Sequence, residues 1–297
     1  MKILITGCNG QLGKEIINIK PKGVDLIETP RSQLDLSKPH LCENFVLKIK
    51  PDWIINCAAY TNVDKAEEES NLAYLINSLS VKNLANAIKK INGNFIQIST
   101  DYVFDGKQKK PYLPNQSRSP LNVYGKTKAL GEDFVLDTFK NTNKGLIIRT
   151  SWLMGSTGMN FALKMLNLFD SKNELNIIND QIGAPTTTRT LAIACWESIK
   201  AISEGKKLPS ILHITNYGEA SWYDLALKVY DLSQTLKLIS SSIKINPIKS
   251  SQYPSLANRP KYSVLDCQNS FKFISLKNQH WEKALEQMLY DYKENMQ

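Results

Sequence analysis

Three glycines spaced three residues apart, Gly7, Gly10 and Gly13, sit where a short apolar run gives way to an amphipathic one. That junction constrains the fold more than any other feature. Lys2 to Thr6 reads as a buried strand, and Leu12 to Ile19 carries apolar residues at helical spacing. The segment Gly7-Cys8-Asn9-Gly10-Gln11-Leu12-Gly13 is G-x-x-G-x-x-G rather than the commoner G-x-G-x-x-G. The physics is unchanged. Glycine permits the tight turn and lets backbone N–H groups approach a pyrophosphate, and the helix N-terminus adds its dipole and free amides. At a first strand–helix junction the pattern implies a bound dinucleotide.

Strand and helix alternate onward to residue 150. Val24 to Thr29, Trp53 to Cys57, Phe95 to Ser99 and Leu146 to Arg149 read as strands. Leu41 to Ile49, Ser70 to Lys90 and Val123 to Phe139 read as helices. Apolar strands separated by helices predict an α/β fold, a doubly wound Rossmann-type parallel sheet covered on both faces. Ligands then sit beyond the carboxyl ends of the strands. After residue 150 the pattern loosens. Met159–Phe169, 221–239 and 280–293 read as helices, 175–178 and 211–214 as short strands, and the Pro-, Ser- and Asn-rich stretch 246–263 as a loop. We therefore expect a dinucleotide-binding domain over 1–150. A smaller substrate-binding lobe over 151–297 would return one or two strands to the first sheet.

Composition narrows the function classes. Lys+Arg 37 against Asp+Glu 28 gives +9, but the lysines are scattered, so phosphorylated small ligands are favoured over nucleic acid. No apolar run approaches the roughly 20 residues of a membrane span, and the N-terminal apolar stretch is too short for a signal peptide. No membrane role and a cytoplasmic location are expected. The five cysteines form no C-x-x-C, and His40, His213 and His280 fall in no ligand spacing, so no metal site is expected.

Two further sets carry chemistry. Glu28, near the end of the second strand, suits a ribose 2′-hydroxyl, whereas Arg31 suits a 2′-phosphate. Tyr124 and Lys128 lie four apart on a helix, hence on one face. An ammonium beside a phenol is expected to lower the tyrosine pKa and fit it for proton transfer. Ser99-Thr100 ends the fourth strand, where its hydroxyls are expected to point into the cleft.

Ser/Thr, Tyr and Lys in this order resemble the extended short-chain dehydrogenase/reductase family. Several blocks resemble its dTDP-4-dehydrorhamnose reductases: 56–67, Ser99-Thr100-Asp101-Tyr102-Val103-Phe104, 119–128, Arg149-Thr150-Ser151-Trp152, 179–186 and Asn258-Arg259-Pro260. The resemblance runs end to end. It implies NAD(P)H-dependent reduction of the C4 keto group of a dTDP-sugar, the last step of dTDP-rhamnose synthesis for surface polysaccharide. NADPH is expected to be modestly preferred over NADH. By the same resemblance, Gly7, Gly10, Gln11, Leu12 and Gly13 would hold the pyrophosphate. Asp35 and Leu36 would flank the adenine, and Ala58, Ala59, Tyr60 and Thr61 would line the ribose and nicotinamide side. Thr100, Tyr124 and Lys128 would form the reducing site. Asp101, Tyr102, Trp152 and Arg259 would face the nucleotide-sugar. Some members bind Mg²⁺ with acidic residues at a dimer contact. Glu15 and Glu282 are present here, but Arg189 and Ile193 stand where such members are acidic, so a metal bridge is not expected and the chain is read as a monomer or homodimer.

Two rival readings share the scaffold. A dehydratase or epimerase is one, but dehydratases carry Asp-Glu where this chain has Asp101-Tyr102. The other is a non-catalytic subunit resembling the regulatory subunit of methionine adenosyltransferase, since fold and motif do not prove catalysis.

Overall fold

The structure, a computed structural model, describes residues 1–240 and 242–296; Gln297, the last residue of the expected second lobe, lies outside them. The first half runs β1 (Lys2–Thr6), α1 (Gln11–Asn18), β2 (Asp25–Thr29), α2 (His40–Ile49), β3 (Trp53–Asn56), α3 (Val63–Glu68), α4 (Ser70–Tyr74), α5 (Ser80–Lys90), β4 (Asn94–Thr100), α6 (Val123–Thr138) and β5 (Gly145–Thr150). The second runs β6 (Leu153–Met154), α7 (Phe161–Ser171), β7 (Glu174–Ile178), β8 (Ile182–Gly183), β9 (Thr186–Thr187), α8 (Thr188–Ser203), β10 (Ile211–His213), β11 (Ala220–Ser221), α9 (Trp222–Thr235), β12 (Lys244–Ile248), α10 (Gln268–Phe273) and α11 (Trp281–Glu294).

Six strands form one parallel sheet in the order β10-β5-β4-β3-β1-β2. Alternate residues of each strand face opposite sides. Ile3, Ile5, Ile55, Ile96 and Ile148 pack on one face with α1 and α8, while Leu4, Ile54, Phe95 and Ile147 pack on the other with α2, α5 and α6. Both faces are covered, as an all-parallel sheet requires. The chain leaves β1 for β2 on one side and returns to β3 on the other, so the crevice opens at the carboxyl ends of β1 and β3. A third core joins α7, α9 and α11 with Met154 and Ile177.

Two expectations need correction. The helix read over 70–90 is interrupted by a π-helical turn at Leu75–Leu79. The stretch read as a loop from 246 contains the end of β12, which pairs in parallel with β7. Pro247 is tolerated there because a two-stranded sheet consists of edges.

Candidate active site

The glycine loop is fitted to its position by close backbone approaches. Gly7 has φ +65°, and a Cβ on it would stand 2.8 Å from the Ala58 nitrogen. A Cβ on Gly13 would stand 2.2 Å from the Gly7 carbonyl oxygen. With Gly10 as N-cap, the first-turn amides of α1 have no carbonyl before them and face the crevice. A cavity of about 620 Å³ runs from this loop past Ala58, Ala59 and Thr61 to Thr100, Tyr124 and Lys128. The buried Thr150 hydroxyl lines it with no hydrogen-bond partner among the described residues. Glycines that admit no side chain, free amides and an unpaired hydroxyl in one crevice fit the pyrophosphate, ribose and nicotinamide parts of a dinucleotide.

Gln11 lines the same cavity, but its amide serves a second purpose. Its Oε1 accepts from Gly155 N at 3.0 Å and Asn160 Nδ2 at 2.9 Å, and its Nε2 donates to Met159 O at 3.0 Å. The segment 155–160 is thereby tied across the glycine loop. At the far end, Arg31 pairs with Asp35 at 3.3 Å and is 74% exposed, while burial, and after it the nearby Glu28 carboxylate, pushes the Cys8 thiol up. The Leu36 side chain belongs to the core.

Tyr124 is placed by three local devices. Asn122 caps α6 by accepting from Gly125 N at 2.8 Å. Gly125 lies against the 101–103 turn so closely that a Cβ would meet the Tyr102 carbonyl at 2.2 Å. Thr100 caps that turn, accepting from Tyr102 N at 3.2 Å. Thr100 and Tyr124 are hydrogen-bonded through their side chains. Lys128 is 4% exposed and donates to the Ile98 carbonyl at 2.6 Å.

The expected lowering of the Tyr124 pKa by Lys128 does not occur. Burial pushes Tyr124 up to about 12, with the Thr100 hydrogen bond acting in the opposite direction. Burial pulls Lys128 down to about 8. At neutral pH the phenol therefore holds its proton. Ser99 is also corrected: its hydroxyl donates to the buried Glu132, which is held by Arg149 at 2.7 Å and Arg118 at 3.0 Å.

The 58–61 segment is positioned by a residue that sequence reasoning missed. Asn77, in the π turn, accepts from Tyr60 N at 2.9 Å and donates to Tyr60 O at 3.0 Å and Thr127 Oγ1 at 3.2 Å. A single helical turn of this kind is often found at functional sites. The Tyr60 hydroxyl itself turns away to Glu69, at 2.5 Å. Nothing in the local spacing of Asn77 signals this contact.

A second cavity of about 250 Å³ shares Thr100, Asp101, Tyr124 and Trp152 with the first and adds Tyr102, Phe161 and Trp222. Trp152 has φ +45°, uncommon for a bulky residue, and stacks on Trp222 at 3.5 Å and 6°. Phe161 and Trp222 continue into a third cavity of about 370 Å³ with Lys164 and Arg259. Arg259 is held by Asp64 at 2.6 Å, which keeps the Asp64 carboxyl down at about 2. Phe161, Lys164 and Trp222 were not singled out in the sequence. Glu15 pairs with Arg189 at 3.1 Å and Glu282 with Lys228 at 3.0 Å.

Residues 1–294 match the family model described as RmlD substrate binding domain. A dTDP-4-dehydrorhamnose reductase of Salmonella typhimurium is 36% identical, over 97% of both chains. A crystal structure of a dTDP-4-dehydrorhamnose reductase from Clostridium acetobutylicum superimposes with TM-score 0.89 at 39% identity, covering 99% of this chain and all of that one. The Bacillus anthracis dTDP-4-dehydrorhamnose reductase in complex with NADP gives TM-score 0.87 at 33% identity, covering 98% and 99%.

Proposed function

The chain belongs to the family described as RmlD substrate binding domain, and from that premise we propose that it reduces the C4 keto group of dTDP-4-dehydro-L-rhamnose with NAD(P)H, giving dTDP-L-rhamnose. The observation that carries this reading is the meeting of the glycine-loop cavity and the aromatic-walled cavity at Thr100 and Tyr124.

Gly7, Gly10, Leu12 and Gly13 hold the cofactor pyrophosphate through backbone amides, with Gln11 fixing the strap above it. When bound, the reduced nicotinamide supplies the hydride for the keto carbon. Thr100 directs its hydroxyl at the keto oxygen. Tyr124, kept protonated by burial, gives its proton to the alkoxide, a far stronger base than phenolate. Lys128 bonds the nicotinamide ribose and orients it. Asp101, Tyr102 and Trp152 line the sugar side, and Lys164 and Arg259 attract the diphosphate at its mouth. The division at residue 150 into a cofactor domain and a sugar lobe belongs to this reading, with α8, β10 and α10 rejoining the first domain. So do a cytoplasmic location and a monomeric or homodimeric state; among the described residues no helix is long and apolar enough to cross a membrane.

The test is purified protein with the keto-sugar and NADH or NADPH. Stoichiometric loss of the reduced-cofactor absorbance supports reduction. Sugar conversion with recycled cofactor would instead indicate epimerase or dehydratase chemistry.

A further inference from the structure

The Thr100 hydroxyl has one proton and two lone pairs. One lone pair accepts from Tyr102 N at 3.2 Å. The proton is directed at Asp101 Oδ1, 3.0 Å away, while the Tyr124 phenol meets the Thr100 hydroxyl. The Tyr102 N–H is fixed as a donor, so the directions of the Thr100–Asp101 and Thr100–Tyr124 bonds depend on whether Asp101 carries a proton.

Asp101 is 2% exposed, and its Oδ2 has no hydrogen-bond partner among the described residues, though the Ser263 hydroxyl faces the carboxyl. The ionisable groups around it are Tyr102 of its own turn and Tyr124 of α6. Arg259 reaches Tyr102 and is held by Asp64. No cation pairs with Asp101 among the described residues. Burial raises its pKa to about 6.

We propose that Asp101 is a positioning residue whose protonation state sets the direction of the Thr100 hydroxyl, a role that rests on the reductase reading above. Protonated, Asp101 donates to Thr100. Both Thr100 lone pairs are then filled, and its proton points into the cavity toward the keto oxygen. Ionised, Asp101 takes the Thr100 proton. The free lone pair of Thr100 then accepts from the Tyr124 phenol and draws that proton away from the substrate. Reduction runs through the protonated form. No net proton is consumed at Asp101; it fixes donor polarity while Tyr124 supplies the proton.

Two measurements test this. The first is the pH dependence of kcat for the wild type and Asp101→Asn, whose amide N–H donates to Thr100 as the protonated acid does. The wild-type rate should fall as pH rises through the Asp101 ionisation. Asp101→Asn, whatever its absolute rate, should turn over with no such limb, a change that a purely structural residue would not produce. A limb that persists in Asp101→Asn, or a folded, cofactor-binding variant inactive at every pH, overturns the proposal.

The second is a pH-difference infrared titration of the wild type and Thr100→Val. The wild type should show the carbonyl stretch of a buried carboxylic acid lost on raising pH. Thr100→Val, lacking the donor that favours the carboxylate, should shift that loss to higher pH. A carboxyl ionised throughout, or one indifferent to Thr100, overturns the proposal even if Asp101→Asn fails to fold. The infrared result stands without turnover, so failure of the reductase reading, seen as no keto-sugar reduction by the wild type, is separable from failure of this one.

Discussion

Replacing Lys128 with methionine removes an ammonium and keeps the length of the side chain. The lysine is 4% exposed, and burial lowers its pKa from 10.5 to about 8. At about 1.36 kcal/mol per unit, keeping it charged in the folded state costs about 3 kcal/mol at neutral pH. Methionine removes that cost but also the 2.6 Å bond to the Ile98 carbonyl, which then keeps only Gln97 Nε2, at 2.7 Å, among its side-chain donors. Losing a hydrogen bond to a charged group costs about 1.5–3 kcal/mol. Lys128→Met should therefore be more stable than the wild type near neutral pH by about 1 kcal/mol, while losing reductase activity. The pH dependence is the sharper test. Because the folded-state pKa is depressed, the folded wild type binds fewer protons than the unfolded chain between about 8 and 10.5, and its stability rises with pH across that window. The advantage of the variant should shrink and reverse there. Urea denaturation of both proteins at about pH 7 and about pH 10 measures the difference directly. A difference that stays constant between those values would refute the assignment of Lys128 as a desolvated ammonium.

Tyr124→Phe should lose about 10²–10⁴-fold in kcat with cofactor binding retained, and Thr100→Val about 10²-fold, since it removes a donor and no proton source; single-turnover kinetics with a cofactor titration compare them. Gln11→Ala removes three hydrogen bonds to segment 155–160, each worth about 1 kcal/mol net. Cofactor affinity should fall about tenfold and limited proteolysis should cut sooner near Gly158. Arg31→Ala should weaken NADPH more than NADH by about 1.5 kcal/mol, the low end for a bond to a charged group because Arg31 is exposed and shared with Asp35. Equal weakening in the two titrations would make Glu28 the determinant.

What the sequence revealed was local. The glycine turn occupies seven consecutive residues, Tyr124 and Lys128 are one helical turn apart, and β1, β3 and β5 each carry a short apolar run. What it hid was long-range. Asn77 reaches Tyr60 and Thr127 from a π turn whose apolar pattern reads as ordinary helix. Trp222, the first residue of α9, meets Trp152, just beyond β5, only through the tertiary fold. β12 is fixed by pairing with β7, not by its own composition. The direction of the Tyr124 pKa shift was hidden for a related reason. Spacing shows the lysine four residues away but not the burial that raises the phenol and directs the ammonium to Ile98.

The central claim is hydride delivery to a sugar carbonyl at Thr100 and Tyr124. Its most direct test uses NADPH deuterated on the transferable face of the nicotinamide, with dTDP-4-dehydro-L-rhamnose as substrate. The product should be dTDP-L-rhamnose with deuterium at C4 of the sugar, one equivalent per cofactor oxidised, as read by NMR and mass spectrometry. Sugar product without deuterium at C4, or with the cofactor returned to its reduced form, would contradict the account.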